Sequence, residues 1–566
     1  MKKILIFTFI FCLTFGLLEA QLYPKDYDAV DFAFDSLYSV KYQKYLREKD
    51  AISLSLVYAD LEAKIQEAGA RKELIISNST INILPLGIEK LVNIERVVFA
   101  NCKNLELEKV LEQLAPLKSI QYLELSNCGL YSLPANIEKM SSLQSLNLKE
   151  NKIVRLPEEL QNIKSLKTLD VSNGTVINED FLFALIAKMP QLTDVSANYC
   201  NIRALPSIAS QTQFNQLNLS GNLLTKLPID LKVKNLDIGS NPFLEIEVLF
   251  SNLANYKMLE HLNLSYNKWE SIPASIGKLV RLKSLNLRGN RLTILPEEIG
   301  NLVALKVLKV DNPDRFINTN QLITLPSGIG KLEALDSLFL SGNIITSLPA
   351  SFNKLSNLVY LDLSWNKLES FPKAVLGLSK LQYLDLALNH VILIPDELVN
   401  LSELKYLNLQ GDFFVNYKLK INNLPANLGK LTKLETLVLS DNVIEVLPES
   451  IGQCKQLKKL DLKDNLFAKL PASFGDLSNL QHLDLKANEL KSLPLSFSNL
   501  KGLEYLNLSF NFNIESNAAA ALIGELGNLK TLNITDSYFT QAAVEDLLDT
   551  LPTTNIISQT VRKEKE

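Results

Sequence analysis

The sequence predicts an α/β repeat solenoid, and three observations carry that prediction. A motif of the form Leu-x-Leu-x-x-Asn-x-Leu-x-x-Leu-Pro returns every 23 residues, marked by Asn343, Asn366 and Asn389 and again by Asn442, Asn465, Asn488 and Asn511. Its two leading leucines, such as Leu361 and Leu363, stand two apart and leave an extended chain on the same side. A proline such as Pro372 or Pro395 follows, where the missing N–H suits the exit from a strand and not its centre. A fixed period in this range is the signature of stacked supersecondary units. The 566 residues therefore form one growing core rather than several globular domains. The hydrophobic content of 47% is leucine at fixed positions, hence core and not membrane.

The chain starts with a targeting segment. Lys2 and Lys3 precede an apolar run of 15 residues, Ile4 to Leu18, followed by Glu19-Ala20-Gln21. A basic start, a short apolar run and a small residue read as a secretory signal peptide, residues 1–20, cleaved after Ala20. The run falls short of the roughly 17–25 residues that span a bilayer; an uncleaved anchor is the alternative. No later segment is apolar enough to span a membrane. With 58 Lys+Arg against 62 Asp+Glu, the net charge of −4 is too small and too mixed for a nucleic-acid or anionic-membrane partner.

Residues 21–73 are expected to form a helical N-terminal cap. Val30, Phe34 and Leu37, then Val57, Leu61 and Ile65 ahead of Gly69, follow helical spacing. A solenoid end needs such a cover for its exposed leucines. The repeats fill 74–537, about twenty of them by the 23-residue step. Strands from successive repeats should stack into one parallel sheet with the leucines buried. The Asn that follows each strand carries two donors and one acceptor. Stacked turn over turn, it satisfies backbone groups that the bend leaves unpaired, which is what makes a buried polar column tolerable. That ladder comprises Asn151, Asn222, Asn241, Asn267, Asn290, Asn343, Asn366, Asn389, Asn442, Asn465, Asn488 and Asn511. Cys102, Cys128 and Cys200 take the Asn position in three repeats. Facing inward, they suit reduced thiols with a weak S–H donor; a bridge between Cys102 and Cys128, in successive repeats, is the alternative for an exported chain. After the proline, segments such as Pro273 to Leu279 are long enough only for a helical turn or 3₁₀ piece, ended by Gly277.

Pro296-Glu-Glu-Ile299-Gly300-Asn-Leu302 and Pro448-Glu-Ser-Ile451-Gly452 resemble the leucine-rich repeat superfamily, in its 23-residue Leu-Pro-x-x-Ile-Gly-x-Leu subclass. The resemblance covers Leu74 to Ile534. It implies an arc with the parallel sheet on its concave face and short helical or 3₁₀ turns on its convex face. Similar repeats occur in intracellular scaffolds that engage small GTPases, in plant receptors and in exported bacterial proteins. The lysine-rich start and the lack of cysteine clusters at the ends favour the bacterial exported type, secreted or retained in the envelope.

The period breaks in places. Asn178 to Ala187 reads as a fuller helix, and Gly174 holds the Asn position there. Two stretches are seven residues over the period, one through Asp311 to Ile317 and one through Phe413, Phe414 and Tyr417. Both follow a strand, so both should leave the same rim. Val544, Leu547, Leu548 and Leu551 make a helical stripe within 538–566, the expected C-terminal cap with its charged tail.

Catalysis is not expected. His261, His390 and His482 lie many strands apart and cannot converge on a metal or a nucleophile. Asp362, Asp385, Asp461 and Asp484 come with a Leu-Asp-Leu consensus on an open face rather than in a cleft. No cofactor is implied. Binding is expected instead, on a column of outward strand positions with Tyr360, Tyr383 and Tyr406, joined by Phe339, Trp365 and the insertion residues Phe413, Phe414 and Tyr417. Aromatic side chains supply contact area and a polar handle. Aromatics also favour strands for their own sake, and Tyr505 holds the same position elsewhere, so a purely sheet-stabilising column is the alternative. The expected partner is a protein, bound with little loss of entropy by a rigid preformed surface. A glycan or matrix partner bound through avidity, or an intracellular scaffold if the N-terminal segment is not a signal, are the other readings.

Overall fold

A computed structural model describes residues 51–54, 72–174, 177–312, 319–412 and 420–558. The signal segment, the first cap helix, the second cap helix, residues 313–318 and 413–419 of the two insertions, and the charged tail expected from the sequence lie outside these residues. The chain forms two compact units, Met1–Ile238 with His261–Asn263, and Gly239–Glu260 with Leu264–Glu566. Each is a solenoid with parallel strands on one face and helical or 3₁₀ turns on the opposite face.

In the first unit, parallel pairing runs from Ala51–Leu54 and Glu73–Ser77 through Arg96–Ala100 and Tyr122–Ser126 to Lys232–Asp237 and His261–Asn263. In the second, it runs from Ser284–Asn286 to Asn555–Ile557. Each step brings like residues into register: Leu338, Leu361, Leu384 and Leu407 pair in sequence and are fully buried. Side chains alternate across a strand, so the first and third residues of each short strand face outward.

Every predicted ladder asparagine is buried. Asn366 shows the geometry. Its Nδ2 donates to Leu363 O and Leu340 O, both at 3.0 Å, and to Ser364 O at 3.1 Å, while its Oδ1 accepts from Ile345 N at 2.9 Å. One side chain thus closes its own bend and ties it to the preceding repeat. The cysteines keep half of this. Cys128 Sγ donates to Phe99 O at 3.4 Å, and Cys200 Sγ to Val171 O at 3.2 Å. Both take acceptors for their own N–H from the next Asn, at Asn151 Oδ1 and Asn222 Oδ1. All four described cysteines are free. The first long stretch leaves the ladder intact: Asn320 Oδ1 accepts from Leu292 N at 2.9 Å, and Asn312 bonds Asn320 and Gly342 O. Ser537 closes the column by donating to Leu508 O and accepting from Asn511 N. Asn312, Asn320 and Ser537 were not among the residues expected in the ladder.

The opposite face is built from 3₁₀ turns of up to five residues, entered through an extended proline such as Pro296 (φ −71°, ψ 151°). Each plants one apolar anchor in the core, Ile299 or Phe474 for example. The expectation that glycine ends these turns is corrected. Gly300 lies inside Glu297–Asn301, and Leu302 follows as the cap. The glycine serves close approach instead: a Cβ on Gly300 would stand 2.2 Å from Gly328 O, and one on Gly475 1.9 Å from Ser496 O. Neighbouring turns stack backbone on backbone because these positions carry no side chain. Glu179–Ile186 is the fuller helix expected, its first turn capped by Asn178 Oδ1 accepting from Phe181 N.

The ends differ from a simple capped array. Strand Ala51–Leu54 continues the sheet into the stretch expected to be a helical cap. Gln541–Thr550 buries Val544 and Leu547 with Leu551 after it, but Leu548 points outward, and Asn555–Ile557 adds a strand beyond that helix. Among the described residues no helix is long and apolar enough to cross a membrane.

Asn366→Ala leaves buried backbone groups of two repeats unmatched and is expected to cost about 3 kcal/mol. Asn366→Cys retains a donor and should cost less; urea denaturation followed by circular dichroism ranks the two, and equal losses would mean the donor is immaterial. Burial pushes the Cys128, Cys200 and Cys454 thiols up to about 12, 11 and 11, and raises Cys102 as well. At neutral pH these four should resist iodoacetamide in the native protein and all react once it is unfolded, as read by peptide mapping.

Candidate binding surface

The outward face of the sheet in the second unit carries four of the predicted aromatic residues, Phe339, Tyr360, Tyr383 and Tyr406. Tyr360, Tyr383 and Tyr406 occupy the first position of three successive strands and pair directly in register. Their rings lie nearly parallel, 4.2 Å apart at 12° for Tyr360 and Tyr383, and 4.1 Å apart at 4° for Tyr383 and Tyr406. Phe339, from the third position of the strand before, closes the stack at 4.6 Å from Tyr360. Lys309 Nζ covers Phe339 at 5.2 Å. Tyr360 is consequently 2% exposed, which corrects the expectation of an open aromatic column. Strand spacing is the reason: register holds neighbouring rings about 4.8 Å apart, close to stacking distance, so they cover one another's faces. Tyr383 and Tyr406 remain partly exposed. Burial, with Asp385 next in effect, raises the Tyr383 and Tyr406 phenols well above their ordinary range, so both remain protonated donors.

Trp365 lies off the strand. It sits in the bend before Asn366 with φ 54°, half-buried. Phe413, Phe414 and Tyr417 lie outside the described residues.

Beside the phenols runs a row of carboxylates at the third strand position. Asp362 pairs in register with Phe339 on one side and Asp385 on the other. Asp362 Oδ1 accepts from Ser364 N at 2.9 Å and Ser364 Oγ at 2.7 Å. Asp385 accepts from Ala387 N, Asn408 Nδ2 and, at 3.4 Å, the Tyr383 hydroxyl. Burial pushes the Asp362 carboxyl up to about 6, with the charge of Asp311 adding to it and the Ser364 bonds opposing it. Further along, burial and Asp484 push Asp461 up to about 6. There, His482 stacks on Tyr505 at 4.1 Å and is pushed down to about 4 by burial and by Lys459.

The sequence reading passed over two other clusters. In the first unit, Arg96 lies with its guanidinium carbon 3.6 Å over the Tyr122 ring and its Nη2 3.5 Å from Glu124 Oε2, and the Tyr122 hydroxyl donates to that same oxygen at 2.8 Å. Its sequence signal is Tyr122-Leu-Glu124, the same pattern as Tyr360-Leu-Asp362. In the second unit, Phe510, Phe512 and Tyr538 form an exposed cluster with rings 6.2 and 5.5 Å apart. Among the described residues no group of three His, Cys, Asp or Glu is placed to hold a metal ion.

Family comparison agrees with this architecture. The description "Leucine-rich repeat region" matches residues 236–340 and 393–559, and two further leucine-rich repeat families match 112–175 and 357–378. The chain is a leucine-rich repeat protein. A leucine-rich repeat protein of Leptospira interrogans is 25% identical over 89% of this chain and 99% of its own, with a TM-score of 0.45. The plant peptide hormone receptor RGFR1, solved in complex with RGF2, is 21% identical over 91% of each chain with a TM-score of 0.50. Toll, from the Drosophila Toll–Spatzle complex, is 21% identical over 82% of this chain and 57% of its own, also at 0.50. No curated protein matches by sequence.

For this leucine-rich repeat protein the raised carboxyls carry a sign. A folded-state Asp near 6, above its unfolded value of 3.8, binds a proton more tightly when folded. Its contribution to stability is full below about pH 4 and declines as pH rises toward about 6. Asp362→Asn or Asp461→Asn should therefore stabilise the protein at neutral pH by of order 2 kcal/mol, with the gain shrinking toward pH 4. Urea titrations at several pH values check this; a gain independent of pH would show that the charge is not its source.

Proposed function

We propose that this protein is a non-catalytic binder that works outside the cytoplasm, as a secreted or envelope component, and docks a protein partner on the outward face of its sheet between Phe339 and Tyr406. The observation that carries the reading is the four-ring stack with its bordering carboxylates. It fixes phenol hydroxyls and carboxyls at strand spacing on a surface that does not need to be ordered on binding. The apparent signal peptide, cleaved after Ala20, supports the location, and the Leu-Pro-x-x-Ile-Gly repeat with its lysine-rich start supports an exported bacterial protein. The repeat fold needs no catalytic residue for such a role, and the separated histidines offer none. The stack also bears on a glycan partner, because sugar binding on aromatic rings uses open ring faces and both faces of Tyr360 and Tyr383 are covered.

The decisive comparison is capture of partners from the native extracellular or envelope fraction by crosslinking. Wild-type protein should retain a protein that the variant Tyr360→Ala, Tyr383→Ala, Tyr406→Ala loses, with both folded by circular dichroism. Equal capture would move the site elsewhere, and capture abolished by free glycans would favour the adhesive reading. Mass of the mature N-terminus tests the location: Gln21 as first residue is expected, and an intact Met1 would sink it.

A further inference from the structure

The charge pattern of this face narrows what the partner presents, given the binding reading above. The outward positions of the five strands from Ser337–Phe339 to Thr436–Val438 hold Ser337, Tyr360, Tyr383, Tyr406 and Thr436 in the first column, and Phe339, Asp362, Asp385, Asn408 and Val438 in the third. Two residues further on stand Ser341, Ser364, Ala387, Gln410 and Ser440. No Lys or Arg occurs in these three columns across the panel. The strands on either side are different: Lys309 pairs with Phe339 at one edge, and Lys459 pairs with Thr436 at the other. Beyond that edge Asp461 and Asp484 alternate with Lys459, Lys463 and Lys486. Asp311, at the opposite end, is held by Arg288 through Nε at 3.0 Å and Nη2 at 2.9 Å. Asp311, Asp461 and Asp484, the outward carboxylates on either side, are thus set among basic residues, whereas the three columns of the panel hold none.

The protein contains its own example of what fits such a place. Tyr122 and Glu124 hold the same first and third strand positions as Tyr360 and Asp362, and in the first unit Arg96 lies over them. Tyr122 and Ser126 both donate to Glu124, as Ser364 donates to Asp362. A Tyr-Leu-acid strand with a serine two residues on is therefore compatible, in this chain, with a guanidinium at close range. One difference matters. Phe339 and Tyr383 cover both faces of the Tyr360 ring, so a cation here meets carboxylate rather than a ring face.

We propose that the panel takes a basic side chain, an arginine or lysine on an exposed segment of the partner protein, with its cationic head against Asp362 beside Tyr383. An arriving cation would offset the cost of holding this carboxylate partly out of water, a cost visible in its raised titration. Charge complementarity of this kind selects partners and speeds their encounter.

The test uses the full mature chain and two fluorescent octapeptides, one alternating arginine with glycine and one alternating glutamate with glycine, read by anisotropy at physiological salt. The arginine peptide should bind and the glutamate peptide should not. Asp362→Asn should weaken binding about tenfold, whereas Asp461→Asn, a carboxylate of the same column among lysines, should change it less than about twofold. No binding of the arginine peptide, equal loss in the two variants, or equal binding of the glutamate peptide would each overturn the proposal. Partner capture separates this from the binding reading. A partner lost by the tyrosine variant yet kept by Asp362→Asn leaves the face standing and removes the basic ligand; a partner kept by both variants removes the face itself.

Discussion

The hydrogen bonds of the buried asparagine ladder are the constraint on which the rest of the structure depends. A chain that bends sharply after three residues of strand leaves carbonyls and N–H groups pointing into an apolar core, where each unmatched group is costly. Asn366 answers that cost with one side chain, donating to two repeats and accepting from one. Because the ladder fixes the bend, strand register follows, and because register follows, residues 23 apart come to lie side by side. The tyrosine stack is a consequence: Tyr360, Tyr383 and Tyr406 touch because the ladder beneath them has no slack.

The two faces of the solenoid use opposite means to the same end. On the sheet face, spacing is set by hydrogen bonds and filled by side chains, so ring meets ring. On the other face it is set by the absence of side chains, and backbone meets backbone at Gly300 and Gly475. The sheet face also carries a cost in stability. Two carboxyls, Asp362 and Asp461, pushed up to about 6, lower folded-state stability at neutral pH.

Much of this is legible in the chain because the repeat states it many times over. Period, strand positions, buried ladder and the helix at Glu179–Ile186 all follow from spacing and from the chemistry of Leu, Asn and Pro. The glycines were misread because a Gly at the end of a short helical turn usually signals a left-handed cap, whereas at Gly300 the need is clearance from a neighbouring repeat 28 residues on, which no local pattern displays. The tyrosines were placed correctly but their exposure was not: sequence spacing tells which residues are neighbours, not that planar rings at strand distance will hide their faces. Arg96 escaped notice because its partners Tyr122 and Glu124 sit in the next repeat, and a single basic residue in a strand carries no signal until register is known.

The reach of the ladder also governs how such a chain can change length. Asn366 spans 26 residues back to Leu340 O, and Asn389 makes the same reach to Leu363 O. Asn343 and Asn442 instead reach 33 residues, to Val310 O and Leu409 O, and the bonds close just as well. Extra residues are therefore absorbed in the bend between the strand and the next asparagine, where Asn320 reaches ten residues back to Val310 O in place of the three that separate Asn366 from Leu363 O, while the strand keeps its count. Smaller changes fall on the helical face: Cys200 and Ser537 reach 29 residues, to Val171 O and Leu508 O, across repeats that carry the helices Glu179–Ile186 and Ser516–Gly524. Length can thus vary on either side of the turn while the ladder stays closed, and the two longest additions flank the tyrosine panel in sequence.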